Sequence, residues 1–284
     1  MIIAFASGKG GTGKTTVATN FALALDKNRM AKIQFIDCDV EEPNAAIFLK
    51  PKITNTRTVS IPVPTVDTTK CNYCGQCAEI CAYHAIAVLK EKVLIFPELC
   101  HGCGGCSLLC PTSAIHEINR EIGVIESGMS GGIIFYQGRL NVGEPMATPI
   151  IKQMKKILSK TDRDTTIIDV PPGTSCPVIE AVQESDFTVL VTEPTPFGLH
   201  DLSLAVETME KLNIPAGIIV NRSDQNDKII ENFCKQKKIP ILMRIPFSRE
   251  FAVAYSKGIP LIDIDSSYQE LFRSLRLSIQ RRCN

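Results

Sequence analysis

Short apolar runs alternate along the chain with stretches whose apolar residues recur at helical spacing. Ile2 to Ala6 is apolar and ends in a glycine-rich stretch, and Lys14 to Leu25 carries alanine, valine and leucine on a helical period. That order predicts strand, loop, helix. Ala31 to Ile36 is a second apolar run, closed by Asp37, Cys38 and Asp39. Further along, strands are predicted at Ile122 to Glu126, Ile133 to Gln137, Thr165 to Asp169, Phe187 to Thr192, Ala216 to Val220 and Ile241 to Ile245. Helices are predicted at Pro149 to Ser159, Val178 to Glu184, Leu199 to Leu212, Lys228 to Lys237 and Ser267 to Arg281. The strand runs are near-continuously apolar rather than alternating, the mark of strands buried on both faces of a parallel sheet. The expected fold class is α/β, a doubly wound, mostly parallel sheet with its ligand at the C-terminal strand ends.

One stretch breaks this rhythm. Residues 50–66 are rich in proline, threonine and valine, and residues 70–118 in cysteine and glycine. We read about 62–120 as an inserted small α+β lobe and residues 1–61 with 121–284 as one discontinuous domain. The two connecting lengths of chain are expected to lie close together. The 284 residues suit that division. A net charge of +1 gives no field directed at nucleic acid or an anionic membrane. The N-terminus has no basic n-region or cleavage site, and no apolar run approaches the roughly 18 residues of a membrane-spanning helix. The expectation is a cytoplasmic protein with no nucleic-acid partner and no stable membrane insertion. Of its twelve cysteines, eight fall between Cys71 and Cys110. In a reducing compartment, clustered cysteines are more often metal ligands than disulfides.

Gly8-Lys9-Gly10-Gly11-Thr12-Gly13-Lys14-Thr15-Thr16 fits the phosphate-loop pattern and sits between a predicted strand and helix. Backbone N–H groups of such a loop curl around a β-phosphate, and the helix N-terminus adds positive potential. Lys14 is expected to reach the β- and γ-phosphates and Thr15 to ligate Mg²⁺.

The run from Lys9 to Thr16 resembles the deviant Walker A ATPases: MinD, ParA, the Mrp-type cluster carriers and the nitrogenase iron protein. The resemblance covers about residues 1–50 and 120–265. It implies ATP hydrolysis to ADP in a nucleotide-sandwich homodimer, with Lys9 reaching the other subunit's nucleotide. Phe35-Ile36-Asp37-Cys38-Asp39 is similar to the family's switch I. By that likeness Asp39 positions or deprotonates the attacking water and Asp37 lies near Mg²⁺, in a transfer governed by positioning and charge neutralisation. Residues 166–173 resemble the Walker B strand and switch II, so Asp169 holds Mg²⁺ through water and Gly173 senses the γ-phosphate. Val220-Asn221-Arg222 resembles the base-recognition strand end, with Asn221 on the adenine edge. Ile245-Pro246-Phe247, followed by Lys257-Gly258-Ile259-Pro260, resembles the adenine-side loop.

Cys71-x2-Cys74-x2-Cys77-x3-Cys81 and Cys100-x2-Cys103-x2-Cys106-x3-Cys110-Pro111 form an internal repeat about 29 residues apart. Both runs follow the bacterial two-cluster ferredoxin pattern, and that resemblance covers about 65–118. Three closely spaced thiolates wrap one cubane, and the fourth ligand comes from the other run. Two 4Fe-4S clusters are therefore expected, one on Cys71, Cys74, Cys77 and Cys110 and the other on Cys100, Cys103, Cys106 and Cys81. Gly75, Gly102, Gly104 and Gly105 are expected to allow tight backbone approach and N–H bonds to sulfur. Ala82 stands where the pattern usually has proline. Zinc sites usually pair two knuckles of two cysteines, which these four-cysteine runs do not match. His101 reads as a surface residue near a cluster rather than a ligand.

Cys234 and Cys283 read as incidental, whereas Cys38 and Cys176 fall in the expected switches. Cys176 lies seven residues beyond Asp169, the offset at which the nitrogenase iron protein ligates an intersubunit cluster. It is part of a shared metal site, a thiol sensing the nucleotide state, or a small residue packed in a switch loop. The last helix places Tyr268, Leu271, Phe272, Leu275 and Ile279 on one face, with Arg273, Arg276, Arg281 and Arg282 elsewhere. Such a helix either packs on its own sheet or lies on a membrane. Three functions follow from the resemblances: an ATP-gated electron carrier serving a redox donor or acceptor, a cluster- or cofactor-assembly ATPase serving a client metalloprotein, and a spatial organiser. The carriers hold a labile cluster on a C-terminal C-x-x-C, which this chain lacks.

Overall fold

The computed structural model describes residues 1–27, 32–158 and 164–283. Ala31 and Ser159, expected at the ends of a strand and a helix, lie outside the described residues. In chain order the strands are β1 (Ile2–Ala6), β2 (Ile33–Asp37), β3 (Lys52–Val66), β4 (Ile86–Leu89), β5 (Lys92–Ile95), β6 (Ile115–Ser130), β7 (Ile133–Leu140), β8 (Thr165–Asp169), β9 (Phe187–Thr192), β10 (Ala216–Ser223) and β11 (Ile241–Pro246). The helices are α1 (Lys14–Lys27), α2 (Ala45–Leu49), α3 (Gln76–Glu79), α4 (Gly105–Leu108), α5 (Thr148–Leu158), α6 (Cys176–Val182), α7 (Pro196–Leu212), α8 (Lys228–Lys237), α9 (Arg249–Ser256), α10 (Leu261–Ile264) and α11 (Ser267–Cys283).

Nine strands form one sheet in the order β11-β10-β9-β1-β8-β2-β7-β6-β3, and β4 with β5 makes a separate hairpin. The run from β11 to β7 is parallel throughout. β6 and β3 continue the sheet antiparallel. The continuous apolar runs are explained by cores on both faces. In β1, Ile3 and Phe5 join the core beneath α1, α2, α10 and α11, while Ala4 and Ala6 join the core beneath α5, α6, α7 and α8.

The proline- and threonine-rich stretch is β3, which pairs with β6 from Lys52 opposite Met129 to Val66 opposite Ile115. Val59, Ile61 and Val63 are buried on alternate positions. Pro62 and Pro64 are tolerated because β3 is an edge strand, where a missing N–H breaks no inner ladder. β7 covers β6 only from Gly123 to Ser130, so the stretch Ile115–Ile122 runs past the parallel sheet. Residues 67–114 hang from the end of this two-stranded ribbon. The expected borders at 61/62 and 120/121 thus fall inside paired strands. Ala85 and Cys100 of the hanging lobe belong to the same core as Val63 and Ile122.

α11 packs against α1. Tyr268, Phe272, Leu275 and Ile279 are buried, and the Phe272 ring lies 6.4 Å from that of Phe21. Leu271, expected on that face, is 44% exposed, and Arg276, expected off it, is buried. The covered stripe is narrow and tilted, so one edge position is shielded and the other is not. Phe272→Ala is expected to destabilise the fold by about 3–5 kcal/mol through cavity formation. An unchanged thermal melt would contradict this docking. Among the described residues, no helix is long and apolar enough to cross a membrane.

Candidate functional site

The loop between β1 and α1 wraps the C-terminal edge of the central strands. At Gly13, φ is 89°, and a Cβ there would stand 2.2 Å from Asn221 Nδ2. That side chain donates to Thr12 O at 2.7 Å, so only glycine admits the approach. Lys14 Nζ donates to Asp169 Oδ1 at 2.5 Å, and Thr15 Oγ1 donates to Asp169 Oδ2 at 2.6 Å. Asp39 stands 3.9 Å from Lys14 Nζ. Burial works against the Lys14 ammonium, yet Asp169, Asp39 and Asp37 together hold its pKa above the ordinary value. The Thr12 hydroxyl is buried with no hydrogen-bond partner among the described residues, and Thr12 lines the cleft, where an acceptor such as phosphate would satisfy it.

Asp37 is fully buried and accepts the N–H groups of Asp39 at 3.1 Å and Ala45 at 3.0 Å. Burial, reinforced by Asp169, pushes its carboxyl up. Burial pushes Asp39 up to about 6, with Lys14 opposing and Asp169 adding to the shift. The raised Asp39 carboxyl makes the free protein less stable as pH climbs from the ordinary carboxylate range through about 6, because the unfolded chain releases this proton first. Asp39→Asn is therefore expected to raise the melting temperature of the metal-free protein more at pH 8 than at pH 5, while lowering hydrolysis. Equal gains at both pH values would contradict the assigned burial effect.

Gly173 N–H donates to Ser7 O at 2.9 Å, tying the expected switch II to the end of β1. Ser7 Oγ donates to Lys9 O at 2.8 Å. Lys9 Nζ lies 3.9 Å from Glu193, whose other oxygen pairs with Arg222 at 2.6 Å. The sequence reading missed Glu193, though a carboxylate at the C-terminal end of a predicted central strand was a usable signal. Cys38 is fully buried in the core, and burial pushes its thiol up, so it is a packing residue rather than an accessible switch thiol. Cys176 is exposed in the first turn of α6, Cys234 is buried, and Cys283 is exposed.

A cleft of about 370 Å³ joins these parts. Gly10, Gly11, Thr12, Gly13, Lys14, Thr15, Thr16 and Asp39 line one end, and Asn221, Pro246 and Phe247 line the other. Phe251, Ala252 and Tyr255 of α9 complete the wall. That helix went unread in the sequence because it is short and its apolar residues, 251–255, form one unbroken run with no helical spacing. Lys257 and Ile259 instead face a separate open depression of about 510 Å³.

The cysteines form two further sites. Cys71, Cys74, Cys77 and Cys110 line one cavity, and Cys81, Cys100, Cys103 and Cys106 line another. Each gathers three cysteines of one run and one of the other. The repeat is visible in the backbone: φ is positive at Tyr73 and Gly102, at Gly75 and Gly104, and at His84 and Ser113. Ala85 N–H donates to Cys81 Sγ and Ala114 N–H to Cys110 Sγ, both at 3.2 Å. Of the four glycines expected to serve sulfur, Gly102 donates to Cys100 Sγ, at 3.4 Å. Burial pushes the Cys106 thiol up to about 11, so loading this site with metal releases protons. Among the described residues, no three His, Cys, Asp or Glu side chains converge on a single ion.

The family model of the CobQ/CobB/MinD/ParA nucleotide binding domain matches residues 3–261. An uncharacterised protein of Methanocaldococcus jannaschii is 34% identical over 267 residues, spanning 91% of this chain and 90% of its own. An iron-sulfur cluster carrier protein of the same organism is 25% identical over 292 residues, spanning 96% of this chain and 81% of its own. The solved septum site-determining protein MinD of Pyrococcus horikoshii, complexed with Mg-ADP, superposes with a TM-score of 0.60 at 19% identity, covering 96% of this chain and 93% of its own. At that identity the likeness concerns the fold alone.

Proposed function

This chain belongs to the CobQ/CobB/MinD/ParA family of nucleotide-binding domains, and from that premise we propose that it is an ATPase whose nucleotide switch governs two 4Fe-4S clusters used in electron transfer. The observation that carries the reading is the path from Asp39 to the cysteine lobe. Leu140 N–H of β7 donates to Val40 O at 2.8 Å, one residue beyond Asp39. β7 pairs with β6, and β6 forms the ribbon from which both four-cysteine cavities hang. Movement at Asp39 is thereby transmitted through hydrogen-bonded strands rather than through a flexible linker.

In this reading the loop N–H groups and Lys14 hold the β- and γ-phosphates, Thr15 and Asp169 hold Mg²⁺ with Asp37 close by, and Asp39 orients the attacking water. Mg²⁺ neutralises charge on the phosphate oxygens. Nucleotide binding separates Lys14 and Thr15 from Asp169, their partner here. In a homodimer, Lys9 leaves Glu193 to reach the second copy's nucleotide. Asn221, Pro246 and Phe247 take the adenine side. Eight cysteines hold the clusters, which supply one-electron chemistry to a redox donor or client metalloprotein.

The likeness to an iron-sulfur cluster carrier protein favours a second reading, ATP-driven assembly or carriage of clusters. An anaerobic redox titration followed by EPR separates the two, run without nucleotide, with MgADP and with a non-hydrolysable MgATP analogue. Potentials or line shapes that shift with nucleotide are the expected result, because a switch must have different affinity for its states. Two clusters that ignore the nucleotide would favour assembly over gating.

A further inference from the structure

The inference drawn here rests on reading the two cysteine cavities as cluster sites. Advancing the first cysteine run by 29 residues superposes it on the second, and most wall positions keep their character. Four wall pairs do not. At the first cavity the wall carries Tyr73, Val88, Asn72 and Thr112. At the second the corresponding positions are Gly102, Glu117, His101 and Tyr83. The His101 and Tyr83 rings stack with centroids 3.5 Å apart and planes 8° apart.

The polar pair and the aromatic pair behave differently. Asn72 Oδ1 accepts the N–H of Cys74 at 3.3 Å, and Thr112 Oγ1 lies 3.7 Å from Cys110 Sγ. Neither aromatic ring donates to a cysteine sulfur among the described residues. Hydrogen-bond contacts at sulfur do not separate the sites, since Ala114 and Thr112 make them at one, and Ala85 and Gly102 at the other. Burial of the first cysteine does. Cys100 is buried, whereas its counterpart Cys71 is half-buried and the other cysteine pairs match, and the Tyr83 and His101 rings, exposed on their outer side, line the second cavity.

We propose that the Tyr83–His101 stack makes the two clusters unequal, giving the Cys81/Cys100/Cys103/Cys106 site the lower reduction potential. Reduction adds a negative charge to a cluster, and water dipoles stabilise that charge. Excluding water therefore disfavours the reduced form, one of the levers that set such potentials. The first electron to enter the lobe then rests on the Cys71/Cys74/Cys77/Cys110 site.

The test is an anaerobic EPR-monitored redox titration of the full chain, with iron content measured alongside. The wild type is expected to give two midpoints separated by at least a tenfold one-electron equilibrium constant, about 59 mV, with the lower one absent in Cys81→Ala. Exchanging the wall for its counterpart, Tyr83→Thr with His101→Asn, is expected to raise the lower midpoint toward the other. The reciprocal change, Asn72→His with Thr112→Tyr, is expected to lower the higher one and supplies the result if the first variant does not load. A single midpoint in the wild type, a lower midpoint lost in Cys71→Ala, or an unmoved separation in loaded variants would each overturn the proposal. Loaded, redox-active clusters with equal potentials sink this inference alone. Failure of the wild type to bind iron at all overturns the cluster reading and this inference with it.

Discussion

Replacing Lys14 with alanine is expected to lower nucleotide hydrolysis by about 10²–10³-fold or more, the loss typical when one charge-stabilising donor leaves a phosphoryl-transfer site, while iron content stays at the wild-type level. Lys14 is buried at the meeting point of Asp169, Asp39 and Asp37, and it is the ammonium that offsets their mutual repulsion. Its removal leaves three carboxylates in a low-dielectric site. Breaking such a buried pair from one side typically costs about 3–5 kcal/mol, so the variant is also expected to melt earlier. Mg²⁺ is expected to recover part of that loss by supplying the missing positive charge. The cysteine cavities draw no residue from the loop, so iron analysis on the same sample separates the two halves of the molecule. Loss of iron in Lys14→Ala would contradict the modular reading.

The second large effect concerns the crossed ligand sets. Cys110→Ala is expected to abolish the same EPR signal that Cys71→Ala abolishes, and Cys81→Ala the one that Cys100→Ala abolishes. Each variant is expected to retain about half the iron, because each cavity takes its fourth cysteine from the other run. If Cys110→Ala instead removed the signal lost in Cys100→Ala, each run would be closing its own cluster and the pairing would be wrong. Zinc in place of iron in the wild type would end the cluster assignment.

Much of this was written along the chain. β8 and β9 begin and end where their apolar runs do, and α8 matches its helical period from Lys228 to Lys237. Burial on both faces leaves little choice about which residues such strands contain. The phosphate loop was legible because its chemistry is local: backbone N–H groups, one lysine and one hydroxyl within a single turn. The grouping of the cysteines was legible for the same reason, since each cavity takes three of them from one short run.

What the sequence could not determine was whatever depends on residues far apart in the chain. Residues 50–66 looked like a compositional break, yet they form a fifteen-residue strand, because their partner lies in Ile115–Ser130. Edge pairing leaves its first seven residues exposed and buries Val59, Ile61 and Val63 at alternate positions, a weak signal diluted further by two prolines. Cys38 sits in an expected switch but packs in the core, since which way a residue at a strand end faces is set by the sheet above it. Leu271 and Arg276 exchanged their expected environments because the contact with α1, not the helical period alone, chooses the buried stripe. Glu193 meets Lys9 and Arg222 only when three strand ends converge. Sequence determined the elements and the local chemistry, where the energetics act over a few residues. Tertiary structure decided faces, edges and partners, because burial and charge pairing are properties of space rather than of order along the chain.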